Sequence, residues 1–538
     1  MTNPNSWIRF GGLLVLALLL TAAVAWRAIE LSILQGRLSV PPLYDDVSYF
    51  VEAARWLNAM KTQGLIADVS GLMLTHAPFS TLAAAIGLRL FPAGYVGLYI
   101  MHAAAVFGFL LGVIWLTRAR PVIDSATSLI AASCIPVVWH TVTEGRPDLP
   151  LSLALGIAVG AVIHRDLFQR SVISLIVLGV GCGAAISVKP SAFPAAFACA
   201  TGAFAVRLLF DCVRAGGLRA SFRRGVAASL WFALGLFAAA ALLLGPALRE
   251  TITYIYLGIF ELHDFWIDGH SFWVGLLRFS VGGEGQFALR YWLWIGLALI
   301  VLRILLVGWK DRAARYDVLV MLAAVLIAYT IPSLSDIKTY FFGAIFYGVF
   351  IVAMVLNYCA CSASVAARLA SFGHGRPLTQ VFGLLPLAAV ALLFGQYILL
   401  NKVTVVTVFT AQQQEDLRVG PERLWSLLRG LKVDPSSTIS VGFTSPYPVT
   451  ASTIDLWAAQ ANVRITARQE FFHRTVEATE QALLTSNILA VSSSMPHPLP
   501  GPRFGDELIK RMDTNKDVCL LDSIVFPDVT LRVYRRGC

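Results

Sequence analysis

The chain is 538 residues long, 57% hydrophobic and only 14% charged, with a formal net charge of +10. Soluble domains carry roughly 25% charged residues, so this composition excludes a soluble enzyme held by a single anchor. The positive excess resides largely in loops expected to face anionic lipid and gives no ground for nucleic-acid binding.

Apolar runs recur from Ile8 to Leu400 and then stop. They predict an all-α polytopic membrane domain over 1–400 and a soluble, extracytoplasmic α/β domain over 401–538. About eleven spans are expected: Ile8 to Ala28, Tyr95 to Thr117, Val122 to Thr141, Leu149 to Ile163, Ser171 to Val188, Pro190 to Phe210, Val226 to Leu248, Tyr291 to Val307, Val318 to Ser333, Tyr340 to Tyr358 and Val381 to Leu400. The first has Arg9 ahead of its long apolar run and lacks a small-x-small cleavage site, so it reads as a retained anchor. Pro78 to Phe91 is apolar but shorter than the ~20 residues of a span. It is read as a juxtamembrane or re-entrant helix, broken at Phe91-Pro92-Ala93-Gly94.

Arginines and lysines gather in alternate loops: Arg118 and Arg120, Arg165 and Arg170, the run from Arg207 to Arg224, Arg303 to Arg315, and Arg368 with Arg376. The positive-inside rule makes that side cytoplasmic. The opposite side, the periplasm if this is a bacterial inner membrane, receives Asp45, Asp148, Lys189, the long loop from Arg249 to Arg290, Lys338 and the tail.

That side carries the residues with chemical potential. Asp45 and Asp46 are adjacent carboxylates following Pro41-Pro42 and preceding an amphipathic stretch, with Tyr49 shortly after. One aspartate suffices to cap a helix. A second at a membrane face can instead serve as a general base for an acceptor hydroxyl, and spacing alone leaves both readings open. His76 precedes Pro78 and is either an interfacial side chain or a contact for phosphate or metal. Glu144, Arg146 and Asp148 place three charges in five residues beside hydrocarbon, with helix capping again the alternative for Asp148. Lys189 and Lys338 sit between apolar segments, either snorkelling or meeting a lipid phosphate.

Glu261, His263, Asp264, Asp268 and His270 share one stretch with Phe265 and Trp266. It is an interfacial aromatic segment or, alternatively, a site for a divalent cation, although the spacing matches no zinc signature. No other cofactor signal is present. Of eight cysteines, Cys519 and Cys538 are placed to form an extracytoplasmic disulfide.

In the tail, strands are expected at Thr438 to Phe443, Ile488 to Ser492, Val518 to Val525 and Val529 to Tyr534. Helices are expected at Val449 to Ala461, Val476 to Thr485 and Phe504 to Asp513. Val441-Gly442-Phe443-Thr444-Ser445 lacks the glycine fingerprint of a dinucleotide site.

Taken in order, these motifs resemble the membrane glycosyltransferases of the C-type fold, in particular the group with protein O-mannosyltransferases and lipid A aminoarabinose transferases. The similarity covers roughly the first 350 residues, on Asp45-Asp46 with Tyr49, His76-Ala77-Pro78, Asp148, Lys189-Pro190 and Lys338. The family's acidic pair more often ends in glutamate, where this chain has Asp46, and Ala77 stands where it has a first proline. The resemblance implies a polyprenyl-phosphate-linked sugar donor and a lipid, glycan or protein acceptor. It casts Asp45 as the base, with Asp46 or Asp148 assisting. Lys189, Lys338 and Arg146 would lie at the phosphate. The rival readings are a lipid or polysaccharide transporter, which would be expected to show internal repeats, and a polymerase or ligase using a lipid-diphosphate donor.

Overall fold

In a computed structural model the residues described are 4–42, 45–63, 71–72, 75, 77–92, 94–256, 260, 271–307, 312–335, 343–371, 376–400, 409–431, 438–445, 447–470, 473, 475–493 and 504–537. They fall into two compact units, one of 1–29, 73–80 and 99–406, the other of 30–72, 81–98 and 407–538. The units therefore cross the 400/401 division suggested by composition: the polar segment after the first span folds with the tail.

The first unit is a multi-pass membrane bundle. Among the described residues of the chain six helices are long and apolar enough to cross a bilayer, and four shorter apolar helices, Asp148–Ile163, Val172–Ser187, Trp292–Leu306 and Gly383–Leu399, lie in this unit. The eleven expected spans fall on helices to within a few residues where described, Tyr340 to Phe342 at the start of one lying outside the described residues. One needs correction: Val122 to Thr141 is two helices, Val122–Ser133 and Pro136–Thr143, bent by 57°. Pro136 cannot continue the preceding helix and drives Ile135 into extended backbone at φ −83°, ψ 129°. Trp139 Nε1 donates to the Ser133 carbonyl at 2.7 Å and so satisfies a carbonyl exposed by the break. The long loop from Arg249 to Arg290 is likewise partly helical, at Leu248–Tyr256, Phe272–Leu277 and Gly283–Ala288.

Small residues set the closest helix crossings, as expected where lipid supplies no hydrophobic drive between helices. Helix Ala344–Ser371 is the most enclosed candidate span, with 89% of its apolar window buried. It meets helix Asp148–Ile163 at Gly348, whose N–H donates to Ser152 Oγ at 2.9 Å. A methyl at Gly348 would collide with the Ser152 carbonyl. Gly348→Ala is expected to lower stability by about 1–3 kcal/mol, as overpacking does. Gly181→Ala, whose methyl meets no atom within 4 Å among the described residues, should leave thermal unfolding in detergent unchanged or slightly raised, because alanine is the better helix former.

The second unit contains a five-stranded sheet in the order β2-β1-β3-β5-β4. β1 (Ile439–Phe443) runs parallel to β2 (Ile465–Gln469) and β3 (Ile488–Ser492). β5 (Thr530–Arg536) is antiparallel to β3 and β4 (Val518–Val525). Val441, Phe443, Ile454, Leu424, Leu531 and Val533 build its core. The three helices and four strands expected in the tail are present within a few residues. Helix Ala411–Gly430 and edge strand β2 are additional to those expected. Cys519 is disulfide-bonded; its expected partner Cys538 lies outside the described residues.

Two helices of the first 100 residues contribute to this unit. Helix Asp45–Gln63 lies along helix Ala451–Ala461: Asn58 Nδ2 donates to the Ala459 carbonyl at 2.7 Å and Arg55 reaches Asp455 at 3.6 Å. Trp457 Nε1 donates to the Tyr95 hydroxyl at 2.9 Å. Helix Pro78–Leu90 stops before Pro92, as expected from the sequence. It is joined to the Asp45 helix where Thr81 Oγ1 donates to Glu52 Oε2 at 2.7 Å.

Candidate functional site

The acidic pair opens helix Asp45–Gln63. Asp46 is completely buried, and Arg37, only 3% exposed, donates to its Oδ2 at 2.6 Å. Burial of a carboxylate is costly unless a charged partner and hydrogen bonds compensate. Arg37 supplies that partner from the turn preceding Pro41-Pro42. The contact ties Asp46 to the turn before its own helix. Tyr49 and Phe50 are buried on the same helix, Phe50 edge-on to Tyr95 with ring centroids 5.6 Å apart. The Asp45 side chain and His76 lie outside the described residues.

In the membrane unit the loop Thr143 to Asp148 gathers the second set of charges. Glu144 is buried and faces Arg146 at 3.5 Å. Asp148 begins helix Asp148–Ile163, yet no side-chain capping bond is made at that end. Its Oδ1 instead accepts from Lys189 Nζ at 2.5 Å. Lys189 is held in extended backbone, φ −131° and ψ 97°, as a residue before proline must be. The pair is mostly enclosed, at 18% exposure for the lysine and 10% for the aspartate. Coulomb attraction is stronger in such surroundings than in open water. An ammonium has three donors and can serve more than one acceptor, so the arrangement suits a phosphate oxygen arriving beside a built-in counterion. Lys338 and the segment Glu261 to His270 lie outside the described residues. Among the described residues no group of three or more His, Cys, Asp or Glu side chains is placed to hold a metal ion.

Behind this loop lies a polar group that motif reading did not isolate. His102 is fully buried, 3.1 Å from Ser80 Oγ and 3.2 Å from the Thr141 carbonyl. His140, also buried, stacks on Phe287 with centroids 4.3 Å apart. Both histidines fall within apolar runs, and their only sequence signal is a titratable residue where an aliphatic one would suffice.

No family model matches the chain, and no curated protein matches it by sequence. Solved structures do. ArnT from Cupriavidus metallidurans in the apo state superposes with a TM-score of 0.50 over 94% of this chain and 97% of that one, at 13% identity. The same protein bound to undecaprenyl phosphate gives a TM-score of 0.53 over 96% and 97%, again at 13% identity. An Archaeoglobus fulgidus oligosaccharyltransferase in complex with zinc and sulfate follows at 0.45, with 14% identity over 88% of this chain and 67% of that chain. The two ArnT structures show the fold: a multi-pass helical membrane protein of ArnT-like architecture, with a small sheet-containing domain toward the C-terminus.

Proposed function

We propose that this C-type-fold membrane protein is an inverting glycosyltransferase that moves a sugar from a polyprenyl-phosphate donor to an acceptor hydroxyl on the non-cytoplasmic face. The observation that carries the reading is the Lys189–Asp148 pair, an enclosed ammonium held in place by its own carboxylate at the end of a membrane helix. An ArnT of this fold has been captured with undecaprenyl phosphate, which supports the donor class. The order of motifs supports the roles.

In this reaction the acceptor oxygen attacks the anomeric carbon and its proton passes to the base, assigned to Asp45. The bond to the phosphate oxygen breaks, and polyprenyl phosphate leaves with the electron pair. The leaving group already carries stabilised charge, so the protein's tasks are to place the acceptor, take its proton and balance the phosphate. Lys189 is assigned to the phosphate, with Arg146 and Lys338 supporting it. Asp148 positions Lys189, and the buried Asp46 holds the start of the Asp45 helix through Arg37.

The test is transfer of radiolabelled sugar from a panel of polyprenyl-monophosphate donors by purified protein, with membrane extract as acceptor source. Lys189→Gln is expected to lower kcat by roughly 10²–10³-fold, the usual cost of removing one donor to a developing oxyanion, while the protein still folds. Turnover that persists in the folded variant, or that requires diphosphate donors, would overturn the assignment.

A further inference from the structure

Helices Gly97–Thr117, Asp148–Ile163 and Val172–Ser187 enclose a groove of about 460 Å³. The first two run side by side in the same direction, since Gly112 lies against Ile157 and Gly160 against Leu116. The third runs back: Lys189 meets Asp148 at one end, and Arg170 Nη2 donates to the Ala161 carbonyl at the other. From Ser174 to Val188 the groove is ~21 Å long at 1.5 Å per helical residue. Its walls are apolar or small, among them Phe109, Ile157, Val177 and Leu178, and Arg170 is its one charged lining residue among those described.

Two glycines open onto this space. Among the described residues a Cβ at Gly108 or Gly181 would meet nothing within 4 Å, whereas Gly112, Gly179 and Gly183 on the same helices are each pressed against a neighbour. Glycine within a helix is a liability unless something must approach the backbone closely. Among the described residues nothing comes within 4 Å of where their Cβ would lie. Each lies ~10 Å from the Arg170 end, counted along its helix from Trp115 or Ser174. That depth falls within one leaflet of a ~30 Å hydrocarbon core.

The Arg170 end is strongly basic. Arg118 lies over the Trp115 ring at 4.9 Å, and Arg165 and Arg170 share the next turn. The acids here are engaged within the fold: Asp166 caps Phe168 N, and Asp211 accepts from Leu167 N and Arg207. Burial, followed by the charges of Arg165, Arg120, Arg170 and Arg118, holds the His164 imidazole down to about 4. Arg170 Nε is buried without a hydrogen-bond partner among the described residues, a donor that an anionic oxygen would satisfy.

We propose that the groove binds an anionic glycerophospholipid, one acyl chain passing Gly108 and Gly181 and the phosphate resting on Arg170 with Arg118 and Arg165. The site does not depend on the transfer reaction. A polyprenyl chain entering from the opposite end is disfavoured, because neither Lys189 nor Asp148 lines the groove.

The test reconstitutes full-length protein in phosphatidylcholine nanodiscs with a trace of phosphatidylglycerol bearing a diazirine on its acyl chain. Photolabelling should map to the three helices, and unlabelled phosphatidylglycerol should compete roughly fivefold better than phosphatidylcholine, the preference one arginine near a lipid phosphate confers. Gly108→Leu and Gly181→Leu, which fill open space, should each suppress labelling without lowering thermal stability. Arg170→Gln should weaken the headgroup preference, with Arg118 and Arg165 still in place. Equal competition by phosphatidylcholine, stronger competition by polyprenyl monophosphate, or labelling that survives both leucine variants in folded protein would each overturn the proposal. The wild-type competition requires no variant to fold.

Discussion

Asp45→Asn is expected to fold normally, retain the lipid-linked donor and lose sugar transfer by about 10²–10⁴-fold, the contribution of a positioned general base. The substitution separates the two readings that the sequence left open. Asparagine is as good an N-cap as aspartate, so a residue that only capped helix Asp45–Gln63 would leave both rate and stability unchanged. An amide cannot accept the acceptor's proton, so a base is silenced by the same change. Single-turnover transfer measured against donor binding gives the distinction: a loss in kcat with unaltered donor affinity identifies the base. Full activity in the folded variant would remove Asp45 from the chemistry.

Breaking the neighbouring pair should show the opposite pattern. Arg37→Ala leaves the carboxylate of Asp46 buried and stripped of its guanidinium, a change that typically costs 3–5 kcal/mol, so a loss of about that size is expected. Tryptophan emission during denaturation reports on this unit, because Trp56, Trp425 and Trp457 belong to it and the last two rings are 6.0 Å apart. The double change Arg37→Met with Asp46→Leu should recover most of the lost stability, since buried ion pairs are often matched by apolar residues of similar size. If Asp46 were a reacting group, the recovered protein would be stable and inactive. If it is an anchor, much of the activity should return with the fold.

How much of this was readable beforehand depends on whether a feature is local. The spans were, because each is a long apolar run, and the strand at Ile488–Ser492 announced itself as a run of buried aliphatic residues. The bend at Pro136 was missed although the proline is plain in the sequence, because hydropathy continues unbroken across it. Helix Ala411–Gly430 is too polar to register as an apolar pattern. Its one local signal is the reciprocal cap between Thr410 and Gln413. Strand β2, Ile-Thr-Ala-Arg-Gln, is short and polar and acquires its identity only by pairing with β1.

The site divides in the same way. Motif order singled out Asp148 and Lys189, and the fold brings them together. Spacing alone did not show that Asp46 is buried, because which residue of a helix turns inward depends on helix phase: successive side chains project ~100° apart. Arg37, the residue that pairs with Asp46, belongs to no motif. Its role arises from a turn that returns it to the helix nine residues later.

The docking of helix Asp45–Gln63 onto Ala451–Ala461 also bears on how the protein is made. Asn58 and the Ala459 carbonyl it binds are 401 residues apart. At ribosomal speeds of about 5–20 residues per second, roughly 20–80 s of synthesis separate the two. During that interval the segment bearing the acidic pair has left the ribosome, while the surface that will receive it has not yet been translated. A nascent chain arrested before residue 451 should therefore expose this segment to added protease, and release of the completed chain should protect it.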